Sequence, residues 1–283
     1  MLVNLKEILE IAQKEKIAIG SFNTPNLEAA IAIISAAEQL NKPVIIMHAQ
    51  IHEELVPLKI IAPIMIDFAK KAKVPVCVHL DHGTDIEYLK IALELGFTSV
   101  MYDGSEHDYE TNLANTKYVV ELAKKYGASV EAEIGVMARK ETLDGDDSAD
   151  DGNDDTSMYT DPAVAEEFVK ASGVDALACA FGTAHGLYAK TPKLDFERLA
   201  EIDSRINVPV VMHGGSGVSH EDYIKAINNG VRKINYYTYM AKAGADCIKQ
   251  NIEKVSFYHE IVNLAIDAMC EDVKKAIKVF SKM

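Results

Sequence analysis

The sequence predicts a single-domain α/β fold, a (β/α)8 TIM barrel spanning residues 1–283. Three observations lead there. Eight short apolar runs alternate with helix-patterned segments long enough for parallel crossovers. The length of 283 residues suits one barrel, and no shift in composition marks a second domain. Several runs stop abruptly at reactive polar side chains, as strands do where a parallel barrel opens into its active site.

Residues 2–14 read as an amphipathic helix with Leu5, Ile8, Leu9 and Ala12 on one face. A first strand, 17–22, ends at Asn23, and Asn26 can cap a helix over 27–40. Strand 43–47 and helix 57–72 follow, then strand 74–80. Thr84 or Asp85 caps a helix over 84–95, and strand 98–102 ends at Asp103-Gly104-Ser105. Gly127 stops a helix over 111–126. Strand 129–134 carries Glu131 and Glu133 on one face. Residues 135–161 form a long aspartate-rich loop, expected to be a lid or a solvated, mobile insertion. Asp144 and Asp146 suggest a calcium loop, but Ala149 stands where an EF-hand turn needs glycine. Helix 162–172, strand 175–181, helix 196–205, strand 208–212, helix 220–229 and strand 231–235 complete the alternation, and 239–282 is largely helical.

The chain is organised around Val78-His79-Leu80-Asp81-His82-Gly83-Thr84. Asp81 and His82 are adjacent and should point in different directions, so one can bind a metal while the other handles protons. Two more His-Gly pairs, His185-Gly186 and His213-Gly214, follow apolar runs downstream. A lone strand-end histidine is usually a structural hydrogen-bonder. Three of them, on separate strands and each before a glycine, point to a three-imidazole zinc site with one open position. His79, inside its strand, reads as a core or supporting histidine. Gly214-Gly215-Ser216-Gly217 offers backbone N–H groups and a hydroxyl to an anion, and Asn235-Tyr236-Tyr237-Thr238 follows the last strand and can complete that site.

Composition narrows the function. The formal net charge is −14 and Lys+Arg total 29, which argues against nucleic-acid binding but not against a sugar phosphate held by local N–H groups. Cys77, Cys179, Cys247 and Cys270 are dispersed without CxxC spacing, as expected of free thiols in a reducing cytoplasm. No signal peptide or membrane-spanning run is visible in the sequence.

Seven motifs in order make the chain resemble the class II, zinc-dependent ketose-bisphosphate aldolases, the fructose- and tagatose-bisphosphate enzymes among them. They are Ser21-Phe22-Asn23, His79-Leu80-Asp81-His82-Gly83, Met101-Tyr102-Asp103-Gly104-Ser105, Glu131-Ala132-Glu133-Ile134-Gly135, Gly182-Thr183-Ala184-His185-Gly186, His213-Gly214-Gly215-Ser216-Gly217 and Lys233-Ile234-Asn235. The resemblance implies the barrel, one catalytic Zn2+ per chain, a monovalent cation near the phosphate, and a homodimer or homotetramer. It implies His82, His185 and His213 as zinc ligands, and Asp103 and Glu133 near an alternative metal position. Asp81 matches the proton-transferring carboxylate, and Glu141 falls at the position of a mobile catalytic glutamate. Asn23, Gly186, Gly214, Gly215, Ser216, Asn235, Tyr236, Tyr237 and Thr238 match or adjoin contacts to dihydroxyacetone phosphate.

The implied reaction is cleavage or formation of a ketose 1-phosphate or 1,6-bisphosphate, with dihydroxyacetone phosphate as the enediolate half. Zinc would polarise the carbonyl, a carboxylate would move the C4 hydroxyl proton, and a second base would move the C3 proton. The chain departs from the family toward the distal end of the substrate. Tyr237 stands where aspartate is common, His48-Ala49-Gln50 where a serine is common, Ala189 and then Lys190 where a lysine is common, and no arginine follows Arg232. Fructose- or tagatose-bisphosphate is the first expectation, and a ketose 1-phosphate with a non-phosphorylated tail the alternative. A metal-dependent hydrolase would begin His-x-His after the first strand, where this chain has Phe22-Asn23-Thr24. A non-catalytic sugar-phosphate sensor would have no need of Asp81.

Overall fold

The computed structural model describes residues 1–135, 156–186, 188 and 191–283. Eight parallel strands close into a barrel: β2 (Ile19–Asn23), β3 (Val44–Ala49), β4 (Val76–Gly83), β5 (Ser99–Tyr102), β6 (Ser129–Ile134), β7 (Ala176–Cys179), β8 (Val210–Met212) and β9 (Val231–Tyr236). The ring closes where Ser21 of β2 pairs with Asn235 of β9. Helices α2 (Leu27–Leu40), α3 (Leu58–Lys71), α4 (Ile86–Glu94), α5 (Tyr109–Lys124), α6 (Pro162–Ser172), α7 (Phe196–Arg205) and α8 (His220–Asn228) lie between successive barrel strands. Most begin at a side chain that accepts a free N–H of the first turn: Asn26, Asp85, Asp108, Asp161, Asp195 and Ser219. Each such cap contributes about 1 kcal/mol.

The N-terminus differs from the sequence expectation. Residues 2–3 are a short strand, β1 (Leu2–Val3), paired with Val76 and Cys77 at the start of β4. Helix α1 begins only at Leu5 and runs to Glu15, because Asn4 Oδ1 accepts from Glu7 N while Glu7 Oε2 accepts from Asn4 N. The face foreseen for this helix is buried: Leu5, Ile8, Leu9 and Ala12 pack on Ile19, Ile45, Cys77, Ala176, Ala178 and Val211 of five different strands. These are lumen residues, so α1 plugs the N-terminal mouth. Burying the three larger side chains contributes about 1.5–3 kcal/mol each. The C-terminal mouth is left for chemistry.

The C-terminal helical stretch is two helices, α9 (Thr238–Asn251) and α10 (Tyr258–Phe280). The latter packs on α2, α8 and β2 and completes the outer layer. Strands β3, β4 and β9 run past their expected ends, to Ala49, Gly83 and Tyr236. Among the described residues, no helix is long and apolar enough to cross a membrane. All four cysteines are free. The acidic residues at 144–155, Glu141, Ala189 and Lys190 lie outside the described residues.

Candidate active site

Side chains alternate in and out along each barrel strand. His79 and Asp81 of β4, Glu131 and Glu133 of β6, and Lys233 and Asn235 of β9 all turn into the lumen. They meet there across strands that are not neighbours. Lys233 Nζ lies 2.9 Å from Glu131 Oε2 and donates to Asn235 Oδ1 at 2.7 Å. Asn235 Nδ2 donates to Asp81 at 3.0 Å, and His213 Nε2 lies 2.8 Å from Glu131 Oε1. His79 is fully buried, with Nδ1 2.8 Å from Ser99 Oγ, which suits the supporting role expected for it.

His82 breaks the alternation. Regular pleating would send it outward, away from Asp81. The β4–β5 register shifts between Leu80 and Gly83, and His82 has φ +44°. That left-handed backbone is costly for a residue with a Cβ, and such strain concentrates at functional sites. Its effect here is to bring the His82 ring to 4.6 Å from His213 and 5.0 Å from His185, centroid to centroid. Asp81 and His82 were expected to point in different directions, but both face the same mouth.

One ligand-capable atom from each of His82, His185 and His213 lies within 4.8 Å of the others. His82 Nδ1 donates to Asp103 Oδ2 at 2.8 Å, and Asp103 is fixed by Ser105 N and Oγ. This leaves His82 Nε2 buried and without a partner, as is His213 Nδ1. Two orphaned imidazole nitrogens beside a third imidazole fit a divalent metal with nitrogen ligands, and the carboxylates behind the rings fix their orientation. His82, Asp103 and Glu133 form an overlapping group of the same kind. A third group, His79, Asp81 and Glu131, also lies within ligand distance, but the Lys233 ammonium already supplies a cation to it.

The electrostatics agree. Burial pushes Glu133 up to about 8, and the neighbouring Asp103 carboxylate adds to the shift. Burial also raises Asp103, but the His82 bond and charge and the two Ser105 bonds outweigh it and hold Asp103 well below the usual carboxylate range. Burial acts against a charged His82, yet Asp81, Asp103 and Glu133 together raise it well above the ordinary imidazole value. Burial, with the charge of His82, holds His213 well below that value. A cluster of buried carboxylates that must retain a proton is one a divalent cation would relieve.

The phosphate-binding expectation falls on a held turn. Gly214 has φ +60°, and a Cβ there would collide with the Ala184 carbonyl oxygen. Tyr188 OH accepts from Ala184 N and donates to Gly214 O, both at 2.8 Å, so it ties the His185 loop to this turn. Tyr223 OH donates to Gly215 O. Ser216 Oγ accepts from Tyr237 N at 2.9 Å, and Gly215 N donates to Asn235 O at 3.1 Å. Thr238 opens α9, whose start has no side-chain cap. Gly186 lies just past His185 with φ +90°, and Asn23 is buried at the end of β2.

Two assignments change. Tyr236 was expected among the phosphate contacts, but it points out of the barrel. Its ring packs on Phe22 and Phe280, and its OH donates to Asp272 Oδ2 at 2.9 Å. The strand continues through this residue, so alternation places it opposite Asn235. The Asn235 side chain is engaged with Lys233 and Asp81, and only its main chain supports the turn.

Sequence reasoning assigned no role to Glu131, Lys233, Tyr188, His48 or His52. Glu131 and Lys233 each sit two residues before a noted polar position on the same strand face, a signal that was present. His52, in the short turn after β3, is 1% exposed and lies 5.4 Å from the Tyr237 ring, centroid to centroid. His48 Nε2 lies 3.1 Å from Tyr88 OH, which donates to Glu53 Oε2. Burial pushes both imidazoles down to about 4.

The family model described as class-II fructose-bisphosphate aldolase matches residues 3–283. Fructose-bisphosphate aldolases of Staphylococcus aureus strains Mu50, MW2 and N315 are each 38% identical, with 99% of this chain and 97% of theirs aligned. The solved YdjI aldolase from Escherichia coli K12 superposes with TM-score 0.87 at 33% identity, over 99% of this chain and 97% of that one. The fructose-bisphosphate aldolase of Campylobacter jejuni shares the fold, with TM-score 0.82 at 22% identity over 99% of this chain and 95% of its own. Barrel, converging imidazoles and relatives over the full length agree: the chain is a lyase belonging to the class II fructose-bisphosphate aldolase family.

Proposed function

We propose that this aldolase acts on a ketose 1-phosphate, breaking and remaking the C3–C4 bond with dihydroxyacetone phosphate as one product, and that its metal is zinc. The observation that carries the reading is the convergence of His82, His185 and His213 beside Asp81, next to a glycine turn suited to phosphate. The chemistry a zinc ion supplies when bound is that of a Lewis acid on a ketone oxygen.

The chain's own groups do the rest. The N–H groups of Gly214 and Ser216 and the start of α9 hold the phosphate, which fixes the distance from phosphate to carbonyl. Asp81 takes the C4 hydroxyl proton in cleavage and returns it in synthesis. Burial raises its pKa, but the charges of His82 and Lys233 outweigh that and keep it an acceptor. Glu141 is the base for the C3 proton on this reading.

The distal end favours an uncharged tail. A buried, neutral His52 feels the charge of Asp81 and lies beside the Tyr237 ring, and no arginine follows Arg232. Neither group offers a planar fork of donors for a second phosphate. The names of the relatives favour fructose bisphosphate, so the two readings need a direct comparison of kcat/KM for matched 1-phosphate and 1,6-bisphosphate ketoses. A bisphosphate preference above about a hundredfold, roughly 2.7 kcal/mol of transition-state binding, would overturn the uncharged tail.

A further inference from the structure

We propose that Lys233 is a positioning residue that sets two functional groups from one buried cation: Asp81 through Asn235, and the metal-facing nitrogen of His213 through Glu131. The inference rests on the metal-site reading above.

Lys233 is 0% exposed, in the middle of the barrel. Its Nζ lies 2.9 Å from Glu131 Oε2, 3.2 Å from Glu131 Oε1 and 2.7 Å from Asn235 Oδ1. An ammonium has three donors and no lone pair, so all three oxygens must accept from it. This removes the ambiguity in the Asn235 amide. Oδ1 faces Lys233, and Nδ2 is therefore turned to Asp81, 3.0 Å from Oδ1 and 3.3 Å from Oδ2. Asp81 is gripped across both oxygens by a donor whose orientation the lysine dictates.

The second path has the same logic. Glu131, accepting from Lys233, is also the partner of His213 Nε2 at 2.8 Å. The imidazole must donate there, so its proton resides on Nε2 and its lone pair on Nδ1. Nδ1 is buried without a hydrogen-bond partner, 3.5 Å from Glu133 Oε2 and on the side of the ring away from Glu131.

A rival role for a buried lysine in an aldolase is amine nucleophile. Three acceptors already engage Nζ, and Asp81 and Asn235 stand nearer the mouth along their strands. A nucleophile needs a free lone pair and access to the carbonyl, and Lys233 has neither.

The test combines a variant with a measurement on the native protein. Lys233→Met keeps the length of the side chain and removes its charge. Zn2+ affinity, read by competition with a chromogenic chelator, should fall about 10- to 100-fold, the range for lost partners of metal ligands. Turnover at saturating Zn2+ should fall by a similar factor, with KM changed less than about threefold because the phosphate turn is untouched. Asn235→Ala should also slow turnover, and the double variant should be no slower than the worse single one. Wild-type Zn2+ affinity in Lys233→Met, or losses that multiply in the double variant, would overturn the proposal. Should Lys233→Met fail to fold, 15N NMR of the histidines in metal-free native protein still decides the second path. The Nε2–H tautomer of His213 is expected, and Nδ1–H overturns it. Metal affinity and tautomer do not depend on substrate, so absence of aldol cleavage in the native enzyme would count against the proposed function alone. Reduction by borohydride in the presence of dihydroxyacetone phosphate should leave Lys233 unlabelled; labelling would restore the nucleophile role.

Discussion

Asn235 Nδ2 lies 3.0 Å from one carboxylate oxygen of Asp81 and 3.3 Å from the other, a contact that crosses the barrel from β9 to β4. Asp81 is 1% exposed, and Asn235 holds its carboxylate inside the barrel. A base so constrained can serve one proton position.

Asp81→Ala should therefore retain Zn2+ and substrate phosphate while turnover drops about a hundred- to ten-thousandfold. Steady-state kinetics together with metal content check this. Near-normal cleavage by the variant would mean that another group carries the proton.

The metal site predicts coupled proton release. Glu133 is raised to about 8, so in metal-free protein at pH 7 it carries a proton, and His82, raised well above its ordinary value, carries another. Zinc binding should displace protons, and its affinity should fall as pH drops below 8. Calorimetry in buffers of different ionisation enthalpy counts the protons; none released would contradict this electrostatic picture. His185→Ala should lose metal affinity as well as turnover.

Stability should show an acid limb from His48 and His52. Both are neutral when folded, with values near 4 against 6.5 for the unfolded chain. Above 6.5 neither state is protonated and their effect is fully present. As pH falls toward 4, the unfolded chain takes up protons that the folded one refuses, and one such imidazole costs about 3 kcal/mol at pH 4. The stability difference between native protein and His52→Gln, followed by denaturant titration from pH 7 to 4.5, isolates this term. Glu133 and His82, both raised rather than lowered, are common to both proteins. A pH-independent difference would place the His52 value near that of free histidine.

Glu141→Ala should slow exchange of the C3 proton of dihydroxyacetone phosphate more than it weakens binding, as expected of a base on a closing loop. Proton exchange followed by NMR checks this, and unchanged exchange would remove Glu141 from the reaction.

What could be read from the chain follows the physics of its signals. His82, His185 and His213 were legible because each ends an apolar run and precedes glycine, and the α1 face was legible from its helical spacing. The turn of His82 toward the mouth was not, because a bulge between Leu80 and Gly83 depends on pairing with β5. Tyr236 was misassigned because it lies one residue past Asn235, where the strand has not yet ended. The Lys233 network joins residues 102 and 154 positions apart along the chain, and only closure of the barrel brings them together.

The central claim is metal-dependent aldol cleavage. Its most direct test is release of dihydroxyacetone phosphate from a ketose 1-phosphate or 1,6-bisphosphate by protein stripped with chelator and then reloaded. The account predicts no release from stripped protein and recovery with about one Zn2+ per chain. Full release from metal-free protein, with a lysine trapped by borohydride, would contradict it.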